Sequence, residues 1–521
     1  MLKKILLFVL ASLFIGGVAH SREVKVSYTD VKGATSSSYF KCISAGRAAE
    51  GLRADWREHL EDVQANMPCE YIRFHGLLHE EMGVITIGEK GETIYNFQYV
   101  DDLFDYLLSV NIKPFVELSF MPQVLASGTK SIFWWDANVS NPKSYKAWED
   151  LVRALVQHFT KRYGVEEVKS WYFEVWNEPN YPGFFAGTQA DYFKLYKASA
   201  IAVKSVCEDY RVGGPATAGH AWIGDIIKYC KKENLPLDFL STHSYGVYGA
   251  FDESGVSQLR MVADPDKISK EVKGVRKEMN ENGCEDIELH YTEWNTSYSP
   301  RDMTHDTYFS AAYVLNTLRE VDDAAQSMSY WTFTDILEES GIATIPLHGG
   351  FGFINIQGLP KPPYFAYKYL YQLGKEELKN KDENSWVCKD ENGGVQMLAY
   401  HLVMPEYGEN DYSNRLFSVV CPAEDVEPVD FTVTDMPDGL YRMEVYYTGF
   451  ERNDILTAYR QMGSPAQLYP EQERTLRLSC EDKAYAVEIV EVKGGKFSRE
   501  YAMRENDICL VKLTPIDTPS L

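Results

Sequence analysis

The sequence predicts a (β/α)8 TIM barrel followed by a C-terminal β-sandwich accessory domain, and three observations support this prediction. Short apolar strands alternate with amphipathic helical patterns from about residue 39 to 365. Eight such strands over roughly 330 residues fit a parallel barrel. After Lys361-Pro362-Pro363 the pattern changes to short alternating strands separated by turn residues, which is typical of a sandwich.

The predicted barrel strands lie far enough apart to leave room for a helix after each. They cover residues 39–43, 71–74, 114–118, 171–175, 211–214, 239–242, 288–292 and 327–333. Helical patterns fall between them, for example at 99–109, 145–163 and 192–207, and 364–373 resembles a last helix. An open doubly wound sheet is the alternative. It usually carries a phosphate-binding loop early, and neither GxGxxG after the first strand nor GxxxxGK[ST] anywhere is present.

The C-terminal part contains five predicted strands, at residues 395–403, 415–421, 440–448, 484–492 and 507–513. The segment 23–29 also alternates, and we expect it to join the sandwich as a strand. The expected division is therefore a leader at 1–21, an N-terminal strand region at 22–38, the barrel at 39–365 and the sandwich at 366–521.

The N-terminus has the three parts of a secretory signal. Lys3 and Lys4 precede an apolar run at 5–15, and small residues follow at 16–19. A membrane anchor is the alternative, but the run is short for a span of about 20 residues. We expect cleavage after Ala19 or Ser21 and export, to the periplasm or beyond the cell, with no membrane span left.

Composition narrows the class of partner. With 52 Lys and Arg against 76 Asp and Glu, the net charge is −24, which argues against nucleic acid and anionic membranes as partners. The 35 Tyr, 25 Phe and 10 Trp favour stacking on sugars. The nine cysteines are scattered, without a CxxC pair, so neither a disulfide framework nor a structural zinc site is predicted. One or two bridges and a homo-oligomeric state stay open.

Two carboxyl groups are expected at one end of the barrel. The fourth strand runs into Asn177-Glu178-Pro179 and the seventh into Thr292-Glu293-Trp294. Because the C-terminal strand ends share one face of a barrel, both glutamates belong at its mouth. Glycoside hydrolysis needs such a pair, one protonated and one ionised. Trp176 and Pro179 would desolvate the first, and Arg73 could hold the second ionised.

The sequence around these strand ends resembles glycoside hydrolase family 39 of clan A, in particular its β-xylosidases. NEP after the fourth strand and TEW at the seventh are the clan pattern. The finer matches cover almost the whole exported chain: RFHG (73–76), PFVEL with SFMP (114–122), GGPA (213–216), DFLSTHSY (238–245), YWTFTDILEE (330–339), HGGFG (348–352) and MGSP (462–465).

The resemblance implies a role for each candidate residue. Glu178 would be the general acid/base and Glu293 the nucleophile of a double displacement, roughly 5–5.5 Å apart. It also implies that Asn177 hydrogen-bonds the sugar 2-OH and that Arg73 and Tyr245 orient Glu293. His75 and His243 would contact hydroxyls or support the carboxyls. Trp331 would form the floor of the sugar subsite, and Glu338 or Glu339 would bind outer hydroxyls.

The predicted function is a retaining exo-glycosidase that removes terminal β-D-xylosyl residues from xylo-oligosaccharides, without cofactor or metal. His75 and His79 beside Glu80 and Glu81 suggest a metal site, but no HExxH is present and hydroxyl contact is favoured. The alternatives are an α-L-iduronidase-like or α-L-arabinosidase activity, or a non-catalytic carbohydrate-binding barrel. A uronate is disfavoured because Asp335, Glu338 and Glu339 follow the eighth strand.

Overall fold

A computed structural model describes residues 21–251, 257–337, 339–408 and 414–516 of the chain. The signal predicted at 1–21 therefore lies outside the described residues except for Ser21, and Glu338 lies outside them as well. No helix within the described ranges is long and apolar enough to cross a bilayer.

Eight parallel strands form a closed barrel, which confirms the predicted fold class. They pair in chain order, and the circle closes where Tyr330 of the last strand lies opposite Ile43 of the first. The barrel strands, numbered one to eight below, are Cys42–Arg47, Tyr71–His75, Lys113–Leu118, Tyr172–Val175, Arg211–Ala218, Phe239–Tyr245, Glu288–Asn295 and Ser327–Tyr330.

Helices surround the barrel, and most of them bury one apolar side against it. The longest starts at Ser144, whose hydroxyl accepts from the backbone N–H of Ala147 at 3.2 Å, and it buries Trp148 and Leu151. The helices of this part are Ala54–Asn66, Gln98–Ser109, Tyr145–Tyr163, Val165–Lys169, Gln189–Lys204, Ile223–Glu233, Lys267–Glu281, Phe309–Val321 and Pro362–Tyr371.

The interior of the barrel is filled in layers that change from apolar to polar along the strands. The floor is a buried cluster of Cys42, Tyr71, Phe115, Tyr172 and Phe239. Because side chains alternate with a period of two, the next inward position on strands two, three and four holds a charged residue. These residues are Arg73, Glu117 and Glu174, all buried.

The C-terminal part contains two sheets around a second buried apolar cluster. One has three strands, Arg22–Ser27, Asp425–Thr434 and Phe497–Arg504, and its first strand pairs in parallel with the second. The other has seven strands in the order Val31–Ala34, Glu376–Leu378, Ser385–Lys389, Val395–Tyr400, Ile508–Pro515, Gly439–Thr448 and Ala486–Val492. Two helices, Ile455–Gln461 and Pro470–Ser479, accompany them.

Short elements complete the described residues. Three two-stranded hairpins pair Ile85–Ile87 with Thr93–Tyr95, Ser131–Ile132 with Ala137–Asn138, and Val247–Phe251 with Ser257–Met261. Single turns of 3-10 helix cover Ser38–Phe40, Ala48–Leu52, Glu80–Met82, Met303–Asp306 and Asn414–Ser418. All nine cysteines carry free thiols.

The strand predicted at 415–421 is wrong. The segment begins with the 3-10 helix Asn414–Ser418, which packs on the barrel instead of entering a sheet. Asn414 donates to Asp302 at 2.7 Å, and the ring of Phe417 lies 5.2 Å from that of Phe309. These long-range contacts override the local alternation of apolar residues.

Candidate active site

The two predicted carboxyls meet at the C-terminal mouth of the barrel. Glu293 belongs to strand seven, and Glu178 follows strand four by three residues. The Glu178 backbone is held by its N–H, which donates to the carbonyl of Ala216 at 2.8 Å. Its φ of 43° is in the left-handed region, as is the 71° of Trp176. This turn aims the Glu178 side chain across the mouth toward strand seven.

Glu178, Glu293 and His243 form a compact cluster. One ligand atom from each lies within 4.8 Å of the other two, so the two glutamates approach each other that closely through one oxygen each. The Glu178 side chain is 13% exposed and that of Glu293 6%. The pair is therefore nearly removed from water yet open to a ligand.

Arg73 organises the carboxylate side of the cluster. Its Nη1 donates to Glu293 at 2.6 Å, its Nη2 to Asn177 at 2.8 Å, and its Nε to Glu174 at 2.8 Å. Burial would lower the pKa of Arg73, but the surrounding carboxylates, Glu117 among them, outweigh this and raise it. A permanent guanidinium charge thus faces Glu293 and favours its ionised form.

The second oxygen of Glu293 accepts from the Tyr245 hydroxyl at 2.6 Å. His75 lies on the other side, with its Nε2 3.6 Å from Glu293 and its Nδ1 2.8 Å from Glu117. Burial raises the pKa of Tyr245 well above its ordinary value, so the hydroxyl keeps its proton and donates. Glu293 is consequently fixed in orientation from two directions.

Glu178 has the opposite surroundings. Burial raises the pKa of Glu178 to about 7, although His75 and Arg73 act to lower it. Its one hydrogen-bonding neighbour among the described side chains is His243, with Nδ1 2.9 Å from Oε1. Burial lowers the pKa of His243 to about 4. A neutral imidazole next to a carboxyl with a raised pKa suits proton donation near neutral pH.

A cavity of about 490 Å³ opens above the pair. Its wall holds Trp331, whose ring is 4.7 Å from that of His75, and the ring of Phe351 lies 6.3 Å from Trp331. Burial, together with Glu293, raises the pKa of Glu339 well above its ordinary value, so this wall presents a neutral carboxyl.

A second cavity of about 470 Å³ lies elsewhere, next to Tyr308 and Arg460, away from the glutamate pair.

The structure brings nine of the ten candidate residues together at this cavity or directly beneath it. Glu338, the tenth, lies outside the described residues. The residues placed there are Arg73, His75, Asn177, Glu178, His243, Tyr245, Glu293, Trp331 and Glu339.

Asp335 does not line this cavity, which corrects the charge argument made from the sequence. Its carboxyl is buried against Lys361 at 3.1 Å. The pair His79 and Glu81 is likewise turned to Arg47, which lies 2.9 Å from Glu81. The carboxylates of Asp335 and Glu81 are therefore engaged in local ion pairs.

The sequence indicated no role for Thr292 or for Glu174. Thr292 donates to Glu174 at 2.9 Å and lies 3.2 Å from His243 Nε2. The pairing register of strand seven shifts between Tyr291 and Trp294, and Thr292 and Glu293 both reach barrel-interior partners although they are adjacent. Simple alternation would send one of them outward, so the sequence carried no signal for Thr292.

Other cavity-lining residues were also unpredicted. Those with larger side chains are Tyr181, Phe184, Val247, Lys267, Tyr298 and Phe351. All six come from loops, a hairpin or a helix start beyond the strand ends, where spacing does not indicate which side chains face inward.

Glu178, His243 and Glu293 are also close enough to share a metal ion. The atoms that would bind the metal, however, are engaged in hydrogen bonds: those of Glu178 with His243, and those of Glu293 with Arg73 and Tyr245. A cation would have to compete with the guanidinium of Arg73 for Glu293. The contacts suit an acid and a nucleophile better than a set of ligands.

Comparison with known proteins gives consistent relatives. A family model described as "Glycosyl hydrolases family 39" matches residues 22–495. A β-xylosidase of Caldicellulosiruptor saccharolyticus is 42% identical over 364 residues, 70% of this chain and 74% of the relative. One of Geobacillus stearothermophilus is 34% identical over 484 residues, covering 91% and 92%. The solved structure of a monomeric β-xylosidase of Caulobacter crescentus superposes with a TM-score of 0.92 at 38% identity, covering 95% of this chain and 100% of that one.

Proposed function

Because the chain belongs to glycosyl hydrolase family 39, we propose that it is a retaining β-xylosidase which releases xylose from the non-reducing ends of xylo-oligosaccharides. The family predicted from the sequence is confirmed, and the chain is a glycoside hydrolase. The sugar, the stereochemical course and the roles of individual residues are the content of the proposal.

The separation of the two glutamates is the observation that carries the retaining mechanism. Oxygens of Glu178 and Glu293 lie within 4.8 Å of each other. Retaining enzymes hold their carboxyl groups about 5–5.5 Å apart, whereas inverting enzymes need about 6.5–9.5 Å to admit a water between carboxylate and sugar. The close approach of the two carboxyl groups here supports the shorter, retaining separation.

In the first step Glu293 attacks the anomeric carbon and forms a covalent glycosyl ester. The bond from that carbon to the leaving oxygen breaks, and Glu178 gives its proton to that oxygen. The pKa of about 7 keeps Glu178 protonated for this step, while Arg73 keeps Glu293 ready to attack.

In the second step Glu178, now a carboxylate, takes a proton from water, and the resulting hydroxide oxygen attacks the anomeric carbon. The ester to Glu293 breaks and both glutamates return to their starting states. Two inversions at one carbon give net retention.

Asn177 is placed to stabilise the transition state. Since Arg73 can only donate, the Asn177 carbonyl oxygen must face it, and the amide NH2 is turned the other way. Asn177 also lines the cavity, so its NH2 is available to a sugar 2-OH. That contact strengthens as positive charge develops at the anomeric carbon.

An iduronidase-type substrate would bring a carboxylate into this cavity. The only cationic side chain among the described lining residues, Lys267, is paired with Glu271 at 2.9 Å and donates to the Tyr245 carbonyl at 2.6 Å. A uronate would therefore lack a free counter-charge. A non-catalytic binding barrel is disfavoured because it needs neither a raised carboxyl pKa nor paired glutamates.

The test uses aryl β-xyloside, α-L-arabinoside, β-glucoside and α-L-iduronide, with product stereochemistry followed by NMR. We expect the β-xyloside to turn over fastest, with β-xylose formed first. Inverted product, or faster turnover of the iduronide, would overturn the proposal.

A variant pair tests the nucleophile. Glu293→Gln is expected to lower kcat on the β-xyloside by at least about a thousandfold, because the amide cannot form the ester. Glu288→Gln, on the same strand but bonded to Tyr172 at 2.7 Å in the barrel floor, is the matched control and should keep normal turnover. Unchanged kcat in Glu293→Gln would remove the assignment. Export through residues 1–21 stays a prediction.

A further inference from the structure

We propose that Thr292 and Glu174 are positioning residues that place the ring proton of His243 on Nε2 and thereby keep Glu178 in its acid form. This inference rests on the proposed role of Glu178 as the acid. It adds a directional chain of hydrogen bonds that runs from the proton donor into the barrel interior, Glu178 to His243 to Thr292 to Glu174.

The chain ends at Glu174, whose two oxygens both accept. Arg73 Nε donates to one at 2.8 Å, and a guanidinium has no lone pair to offer in return. The other oxygen accepts from the Thr292 hydroxyl at 2.9 Å. Both side chains are fully buried, so water does not supply an alternative partner.

Thr292 in turn fixes the direction of its hydrogen bond with His243. A hydroxyl has one proton, and that of Thr292 is committed to Glu174. Its oxygen can then only accept from His243 Nε2, which lies 3.2 Å away. Nε2 must therefore carry a proton.

His243 transmits the constraint to Glu178. Burial lowers the pKa of His243 to about 4, so at neutral pH the ring has a single proton, on Nε2. Nδ1 then presents a lone pair to Glu178 Oε1 at 2.9 Å. Only a protonated Glu178 can make that bond, since two lone pairs would otherwise face each other.

The same arrangement serves the second catalytic step. Once Glu178 has given up its proton, its carboxylate faces the Nδ1 lone pair and loses a hydrogen bond. Taking a proton from water restores that bond. The chain therefore makes Glu178 a better base in the step in which a base is needed.

Other charged groups also act on this pair. They come from six elements around the mouth: Arg73 and His75 of strand two, Glu117 of strand three, Glu174 of strand four, Tyr245 of strand six, Glu293 of strand seven, and Glu339 after strand eight. A substitution at Thr292 removes none of these groups, and among them only Glu174, itself a member of the chain, loses a hydrogen bond to Thr292. A shift in the pH profile of a Thr292 variant therefore reports on the hydrogen-bond chain.

The test compares Thr292→Val, which keeps the shape but removes the hydroxyl, with Thr292→Ser, which keeps the hydroxyl. In the valine variant His243 Nε2 loses its acceptor, so we expect the proton to move to Nδ1 and donate to the Glu178 carboxylate. This stabilises the charged form of Glu178 and should lower the upper pKa of the kcat/KM profile from about 7 by about one unit. The serine variant should keep the wild-type profile.

A purely structural defect gives a different result. Below pH 5 Glu178 is protonated in all three proteins, so kcat/KM should be nearly equal there. A uniform loss across the pH range, or an unshifted upper limb in Thr292→Val, would overturn the proposal.

A second readout needs no substrate. In ¹⁵N-histidine NMR of the wild-type protein at pH 6, the His243 signal should show a proton on Nε2 and a bare Nδ1, with the pattern reversed in Thr292→Val. Wild-type protein with the proton on Nδ1 would refute the inference even if the valine variant fails to fold. Absence of β-xylosidase activity in the wild type, with the expected NMR pattern, would instead refute the proposed function.

Discussion

At the scale of residues, the two glutamates differ in their neighbours. Glu293 receives hydrogen bonds from a guanidinium and a phenol, at 2.6 Å each, which favour its anion. Glu178 has an imidazole beside it and a pKa raised by burial to about 7. One barrel mouth thus surrounds two chemically identical side chains with different neighbours, as a division of labour between an acid and a nucleophile requires.

Replacing the acid should produce a leaving-group effect. Glu178→Ala is expected to lower kcat/KM about 100- to 10,000-fold on a xylobiose substrate, which needs a proton on its leaving oxygen. A dinitrophenyl xyloside needs none and should lose far less in its first step. Steady-state kinetics on both substrates measures the difference.

Azide supplies the control for this variant. As a small nucleophile that needs no general base, it should accelerate breakdown of the covalent intermediate and yield β-xylosyl azide. Equal losses on both substrates would contradict the role given to Glu178.

The sequence was sufficient to predict the paired glutamates because each follows an apolar strand of a parallel barrel. It was insufficient for Thr292 because a register irregularity, invisible in the pattern, turns two adjacent residues of strand seven inward. The charge argument from Asp335 failed for a similar reason, since its partner Lys361 is 26 residues away in the chain.

At the scale of elements, the segment after strand eight is held by one buried cation. Lys361 Nζ lies 2.7 Å from Asp306, 3.1 Å from Asp335 and 2.7 Å from the Gly350 carbonyl. Asp306 in turn accepts from the Gly349 backbone at 2.7 Å. The segment carries Trp331 at its start, so the same ion cluster supports the wall of the sugar cavity.

Removing that cation should destabilise the fold. Lys361→Met leaves two buried carboxylates without their counter-charge, and we expect the free energy of unfolding in urea to fall by about 3–5 kcal/mol. The KM for the β-xyloside should rise as the cavity wall loosens.

The surface pair of Lys379 with Asp30 is the matched control. Its nitrogen–oxygen distance is also 2.7 Å, but both side chains are more than half exposed. Lys379→Met should cost less than about 1 kcal/mol. Similar losses for the two variants would show that the buried cluster is not important for stability.

Barrel strands were easier to predict than sheet strands. Each barrel strand is an apolar run between helices, whereas Asp425–Thr434 was missed because Pro428 interrupts its alternation. The pairing register of that strand shifts between Val426 and Val429, on either side of the proline. The buried apolar side chains of this strand are Val429, Phe431 and Val433, and three alternating positions are too few to predict a strand reliably.

At the scale of the whole molecule, the seven-stranded sheet contributes residues to the apolar core of the barrel as well as to the second cluster between the sheets. Trp386, on a strand of the seven-stranded sheet, belongs to the same buried cluster as the barrel residues. Its ring lies 6.5 Å from that of Tyr39 and under the guanidinium of Arg319 at 5.1 Å. Arg319 also bonds Glu377 of that sheet at 2.6 Å.

A shared core predicts joint unfolding. Trp386→Ala should lower stability by about 3–5 kcal/mol through the cavity it leaves. Tyr469→Ala, at a side chain that is 71% exposed, is the control and should change little. Thermal loss of activity and loss of β-sheet circular dichroism should move together to lower temperature. Retained activity after the sheets have melted would show two independent units.

The left-handed backbone at Glu178 and Trp176 limits the thermal stability that this enzyme can reach. Holding non-glycine residues there costs of order 1–3 kcal/mol each, and the surrounding contacts must offset that cost. Glycine or asparagine would relax the chain at residue 178, yet neither can transfer a proton. Selection for heat resistance and selection for turnover therefore act in opposite directions at this position, and thermostable descendants must gain their stability elsewhere in the chain.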